Sequence, residues 1–214
     1  SAEAHGLVPL TCRALLDHAG DALAPAARER LTRERMAAIA RALDASRQLV
    51  AVLQVLDGAA VAALAYKGPA LALDAYGDAT LRSCDDLDVV VAPQDLTRAS
   101  AALVTNGYSP TDGLPWRESY QAHGWQGHVS LTRRGEPLPV ELHWRFCDRK
   151  LPWNPPLSEL LARAGRHPLA GAVVAEGFVA LKTPVVPAAD YPAFRELMIR
   201  VDTAFGRRVV AGPA

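Results

Sequence analysis

Cysteine is scarce in this chain. Its 214 residues include three, Cys12, Cys84 and Cys147, an odd number with wide gaps, and no pair has zinc-site spacing. A disulfide framework is therefore excluded, and reduced thiols in a cytoplasmic protein are the expectation. Excess charge of either sign is missing too. The 23 basic side chains balance 23 acidic ones, so no global field draws the chain to nucleic acid or anionic lipid. No apolar run approaches the ~20 residues that a membrane span needs. The opening Ser1-Ala2-Glu3-Ala4-His5 has neither the basic start nor the apolar centre of a secretory leader. With no initial Met, it points to a processed, trimmed or partial chain. Gly-x-Ser-x-Gly, His-Glu-x-x-His and Walker-type loops are all absent, which leaves hydrolase triads without support.

What is present is apolar material, 50% of the residues, enough for a core in one domain with or without a helical appendage. The first half is rich in Ala, Leu and Arg. Residues 7–19 read as a short helix and residues 26–56 as one long helix or two. Leu31, Met36, Ile39, Leu43, Leu49, Val50, Leu53 and Leu56 roughly follow the helical period and are expected to face the core. Pro25 suits a helix start, and Asp57-Gly58 a stop. Residues 59–66 predict a buried strand, 70–76 a helix after Pro69, 87–91 a strand, and 94–105 an amphipathic helix ended by Asn106-Gly107. Residues 112–127 read as irregular, with Trp116, Tyr120 and Trp125 packing the loop or stacking on a base. Residues 129–132 and 138–144 predict a hairpin across a Gly-containing loop. Beyond Trp144 the pattern weakens: a helix over 157–164, strand or helix over 172–180, and a last helix over 194–205.

The most telling stretch is Arg82-Ser83-Cys84-Asp85-Asp86-Leu87-Asp88-Val89-Val90-Val91. Side chains alternate along a strand, so Asp86 and Asp88 share one face, about 7 Å apart, and Asp85 points the other way. Two ionised carboxylates so placed repel, unless a cation lies between them or both reach water. Pro139-Val140-Glu141-Leu142-His143-Trp144 supplies a third carboxylate. If its strand lies beside that of Asp86, three acidic groups converge, a set that suits Mg²⁺. Upstream, Lys67-Gly68 ends a strand and opens a helix, where backbone N–H groups favour a phosphate and Gly68 permits close approach. Lys67 and Arg82 would neutralise phosphate charge. Each residue also has a plainer reading. The Asp pair and Glu141 fit solvated strand positions, and Lys67 a surface turn. Arg82 fits a salt bridge to Asp78 or Asp85, His143 a satisfied half-buried imidazole, and Trp144 the core. His123 and His128, five apart, lack further clustered ligands and make a poor zinc site.

The ordered set resembles a known family. Ala65-Tyr66-Lys67-Gly68-Pro69-Ala70-Leu71-Ala72, Tyr76-Gly77-Asp78, Arg82, Asp86-Leu87-Asp88-Val89-Val90-Val91, Asn106-Gly107-Tyr108 and Val140-Glu141-Leu142-His143-Trp144 resemble the uncharacterised nucleotidyltransferase-like proteins of the DNA polymerase beta superfamily, over residues 4–144. The resemblance implies an α/β (α+β) nucleotidyltransferase fold, a small mixed sheet flanked by helices. An N-terminal helical segment over 1–57, a core over 58–150 and a C-terminal extension over 151–214 are expected. It implies a Mg²⁺-dependent enzyme that moves a nucleoside monophosphate from a nucleoside triphosphate such as ATP to an unidentified acceptor, a small molecule or protein. By resemblance Asp86, Asp88 and Glu141 are catalytic and hold two Mg²⁺ ions, while Lys67, Gly68 and Arg82 contact the nucleotide. The rival expectation is an inactive nucleotide- or protein-binding module of the same fold. Two departures favour it: Asp85 stands where such proteins carry a small residue, and nothing after Glu159 matches their His- and Lys-rich helical region. No nucleic-acid or membrane partner is expected.

Overall fold

The computed structural model describes residues 7–145, 155–169 and 172–176. α1 (Val8–Ala19) and α2 (Pro25–Gly58) come first, each opened by a proline in its first turn, where the missing N–H is not needed. α2 is a single helix of 34 residues, about 50 Å long. β1 (Ala63–Tyr66), α3 (Gly68–Tyr76), β2 (Leu87–Val91), α4 (Leu96–Thr105) and β3 (Tyr108–Pro110) follow. Next are α5 (Trp116–His123), β4 (His128–Arg133), β5 (Val140–His143), α6 (Leu157–Arg163), β6 (Gly165–Leu169) and β7 (Ala172–Glu176). The strands form one mixed sheet in the order β3-β4-β5-β2-β1-β7-β6.

The expected elements through Thr105 are all present, with two shifts. The strand expected over 59–66 begins only at Ala63, because α2 runs on through Gly58. The helix expected over 94–105 starts at Leu96, after a 3₁₀ turn over Pro93–Asp95. The hairpin is present as β4 and β5. Residues 112–127, expected to be irregular, instead contain α5. Tyr120 on this helix packs against Trp144, with ring centroids 5.0 Å apart, and Trp116 lies beside Tyr120. Trp125 stands out in solvent. The short helix is held by tertiary aromatic contact. β3 and β6 carried no strand signal, and residues 172–176, left open between helix and strand, form β7. The helix expected over 194–205 lies outside the described residues.

The sheet alternates as strands should. Ala65, Leu87, Val89, Val91, Val129, Leu131, Val140 and Leu142 point to one side and join the core. α2 and α4 close that side with Leu49, Val52, Leu56, Leu96, Ala99 and Leu103. The core face of α2 differs from the expected stripe. Ala38, Ala42, Ala45, Leu49, Val52 and Leu56 are buried, whereas Met36 and Leu43 are each 60% exposed. The three alanines follow the helical spacing as well as the leucines do, and their small side chains let neighbouring elements approach the backbone. The apolar count alone could not tell this face from the adjacent one.

A polar tie joins α2 to the hairpin. Fully buried Gln48 donates from Nε2 to the Leu138 carbonyl at 2.7 Å and accepts from the Leu138 N–H at 3.2 Å. Arg47 pairs with Glu136 at 2.7 Å on the exposed side of the same contact. Gln48→Ala would strand two backbone groups and is expected to cost about 1–3 kcal/mol in urea unfolding. A loss below about 0.5 kcal/mol, the range of ordinary surface changes, would mean that water replaces both bonds.

Candidate functional site

The opposite side of the sheet carries the polar residues. β2 runs parallel to β5 with Asp88 level with Glu141, and antiparallel to β1 with Tyr66 level with Asp88. β4 runs antiparallel to β5 with Ser130 opposite Glu141. Tyr66, Asp88, Glu141 and Ser130 thus form one row across four strands. Two residues along, His143 lies opposite His128. Since side chains recur on one face every second residue, both histidines join the acidic row.

Asp88 is the buried member, its side chain 1% exposed. Its Oδ1 lies 2.8 Å from His143 Nε2 and 3.3 Å from Lys67 Nζ. Its Oδ2 is buried with no hydrogen-bond partner. Burial works against this carboxylate, but the His143 hydrogen bond and the Lys67 charge outweigh it and hold the group below the ordinary Asp range. Asp86 sits just before β2, half-buried. Burial, then the charges of Asp88 and Glu141, push its carboxyl above the ordinary value. Glu141 is held low, first by its hydrogen bond with His143, against the effect of burial. His143 Nε2 lies 3.2 Å from Glu141 Oε2 and His128 Nε2 lies 3.7 Å from Glu141 Oε1. Burial lowers the His143 pKa, yet hydrogen bonds to Asp88 and Glu141 more than restore it, and the net shift is upward. His128, with burial as the main cause, is shifted down. Burial and the nearby Asp86 charge drive the Cys84 thiol up to about 11, so it stays protonated and is no nucleophile at neutral pH.

The turn between β1 and α3 is strained. Lys67 has φ +65° and ψ −151°, a region that side chains other than glycine rarely enter. Gly68 follows with φ +55°. A Cβ on Gly68 would meet only the Asp86 carbonyl oxygen, at 3.9 Å, an ordinary contact. Glycine is therefore favoured here by the backbone angle and not by crowding. The turn lets Lys67 lie over the Tyr66 ring, 4.6 Å from its centroid, while reaching Asp88.

The expected site residues do not all gather at one point. The charges of Asp88, Glu141 and Lys67 all act on the Asp86 carboxyl, and that of Asp88 acts on Glu141. Among the described residues, however, the group whose ligand atoms all lie within 4.8 Å of one another is His128, Glu141 and His143. Asp85 is exposed and lies with Asp86 in the bend before β2, outside the strand whose alternation was expected to set the two apart. It lines a cavity of about 210 Å³ with Arg41, Asp44, Pro69, Arg82 and Cys84. Arg82 therefore lies on the α2 side, beside the start of α3. Asp78, one of its expected partners, pairs instead with Arg13 at 3.8 Å. Trp144 is buried, as expected. His143 is mostly buried and fully engaged, but what engages it is the acidic row itself.

The residue that sequence reasoning missed is His128. His123, five residues before it in sequence, contacts Asp112 at 3.2 Å instead. The signal lay in the hairpin: once the strands pair, His128 opposes His143 and Ser130 opposes Glu141. The orphaned, buried Asp88 Oδ2, flanked by two further carboxylates, fits a divalent cation, because an unpaired buried acceptor is costly without a partner.

Residues 1–175 match the sequence profile of a family described as uncharacterised nucleotidyltransferases. The chain belongs to that family. The match extends past Trp144, where the sequence resemblance had ended. No curated protein matches the chain in sequence. Two solved structures show distant similarity. The lincomycin-bound lincosamide antibiotic adenylyltransferase LnuA is 12% identical, with a TM-score of 0.45, over 67% of this chain and 87% of that one. The antibiotic-resistance factor ANT(2'')-Ia, studied in solution, is 14% identical, with a TM-score of 0.41, over 69% of this chain and 80% of that one. No helix among the described residues is long and apolar enough to cross a membrane.

Proposed function

We propose that the chain transfers a nucleoside monophosphate from a nucleoside triphosphate, such as ATP, to an acceptor hydroxyl, phosphate or amine, with release of pyrophosphate. Asp86, Asp88 and Glu141 would hold the Mg²⁺ ions. The observation that carries this reading is the buried Asp88 carboxylate, level with Glu141 on a parallel neighbour and left with one oxygen unpaired. Three carboxylates offer only hard oxygen donors, the kind that Mg²⁺ prefers. When bound, such ions polarise a phosphoryl group and stabilise the leaving pyrophosphate.

The remaining work falls to the chain's own residues. Lys67, with its side chain 43% exposed, presents a cation to phosphate oxygens from the strained turn. Gly68 keeps the backbone open at the start of α3, although Pro69 removes one donor there. Arg82, which lines the cavity on the α2 side, has no part in this scheme. Glu141, level with Asp88 and held ionised, accepts the acceptor's proton. Rate enhancement on this scheme is mostly electrostatic positioning.

A specific observation favours a second reading, a nucleotide- or protein-binding module without turnover. Lys67 and His143 already occupy Asp88 Oδ1, so protein cations meet much of the need for positive charge. Calorimetry and pyrophosphate release separate the two. Mg²⁺-dependent consumption of a nucleoside triphosphate with some acceptor from a panel supports the transferase. Binding with no product supports the module, and absence of any nucleotide or metal binding rejects both.

A further inference from the structure

The side of the site away from Lys67 has a different donor chemistry. Glu141 is approached by two imidazoles, His143 Nε2 at 3.2 Å from Oε2 and His128 Nε2 at 3.7 Å from Oε1. The two rings face one another at a centroid separation of 4.9 Å. One ligand atom from each of the three residues falls within a 4.8 Å span, so small side-chain rotations would bring them to the roughly 3.4 Å between ligands of a tetrahedral zinc-type ion. All three lie on the paired strands β4 and β5. Gly127, with φ +84°, leads into β4, and its carbonyl accepts from the Trp144 N–H at 3.1 Å, which fixes where His128 begins its strand. The imidazoles are thus positioned by backbone pairing and not by flexible loops. Partial exposure, 25% for His128 and 24% for Glu141, leaves a way in for an ion and for a further ligand.

We propose that His128, Glu141 and His143 form a binding site for a divalent transition-metal ion of the zinc type, separate in chemistry from the all-oxygen Asp86–Asp88 side. Nitrogen donors suit Zn²⁺ and its neighbours, while Mg²⁺ selects oxygen. Two imidazoles and one carboxylate also leave a coordination position open, as catalytic rather than purely structural zinc sites do. His143 Nε2, which lies 2.8 Å from Asp88 Oδ1, would give up that hydrogen bond to the ion. Glu141 is common to both sides of the site, so a zinc-type ion there would withdraw it from the Mg²⁺ set. The site stands on the hairpin geometry and does not depend on nucleotidyl transfer.

The test is calorimetric titration of the metal-free full chain with Zn²⁺, in excess Mg²⁺ and without nucleotide, together with the visible spectrum of the Co²⁺-loaded protein. One equivalent of Zn²⁺ is expected, with affinity lowered at least about 100-fold by His128→Ala and unchanged by His123→Ala. Far-UV circular dichroism reports whether His128→Ala folds, and His128→Gln serves if it does not. The Co²⁺ ligand-field bands should vanish with the same substitutions. Asp86→Asn should retain Zn²⁺ binding while losing any Mg²⁺-dependent transfer, so failure of the zinc site and failure of the transferase reading give different results. Zn²⁺ affinity unaffected by either His128 variant, no Zn²⁺ binding, or a thiolate-to-cobalt charge-transfer band placing the ion on cysteine would overturn the proposal.

Discussion

Replacing Asp86 and Asp88 together by asparagine is expected to reduce Mg²⁺-dependent nucleotidyl transfer by about 10³-fold or more while the protein stays folded. The size follows from the task. Metal and preorganised charge at a phosphoryl group stabilise the transition state by several kcal/mol, and each 1.36 kcal/mol is about tenfold in rate. Asparagine keeps the shape of each side chain but lacks the charge a cation needs. The fold should tolerate the change because Asp86 is held against burial and two neighbouring carboxylates, so its ionised form is a burden on the folded state. Loss of the Asp88 charge leaves Lys67 able to reach water from its half-exposed position. Pyrophosphate release measured beside a thermal melt checks both halves. Wild-type activity in the double variant would sink the assignment of these carboxylates to metal.

Leu142→Ala is expected to do the reverse. Leu142 is fully buried on β5, level with Val89 on one neighbour and Val129 on the other. Truncation removes a side chain from the centre of the sheet and leaves a cavity that the paired strands cannot close. The cost is about 2–5 kcal/mol, or a melting temperature lower by roughly 4–20 °C for a domain of this size. Well below the new melting point, activity should fall less than in the Asp86→Asn/Asp88→Asn variant, because Glu141 and His143 face the other way from the lost side chain. A melting temperature within a degree or two of wild type would contradict the packing described here. Together the two substitutions separate charge at the site from packing behind it.

Leu87–Val91 carries five strand-favouring or alternating residues in a row, and the strand lies where the pattern put it. The Lys67-Gly68-Pro69 interruption likewise marked the passage from β1 to α3, because glycine and proline act on backbone angles that are local. α5 was hidden, since Tyr120 gains its contact from Trp144, more than twenty residues downstream, and Trp116 packs beside Tyr120. Met36 and Leu43 were misplaced because their helical spacing competes with an alanine face of the same period.

By itself, then, the sequence determined most of the local elements up to Thr105, the β4–β5 hairpin and the family motif. Those depend on backbone preferences and on periods of two or 3.6 residues, both carried by neighbouring residues. Only the tertiary structure decided that β2 lies parallel to β5 with Asp88 level with Glu141, that Lys67 and His143 share one oxygen of Asp88, and that His128 meets Glu141 from the other side. Strand order and register are set by which faces can be buried together across long stretches of chain, and no local pattern records that choice.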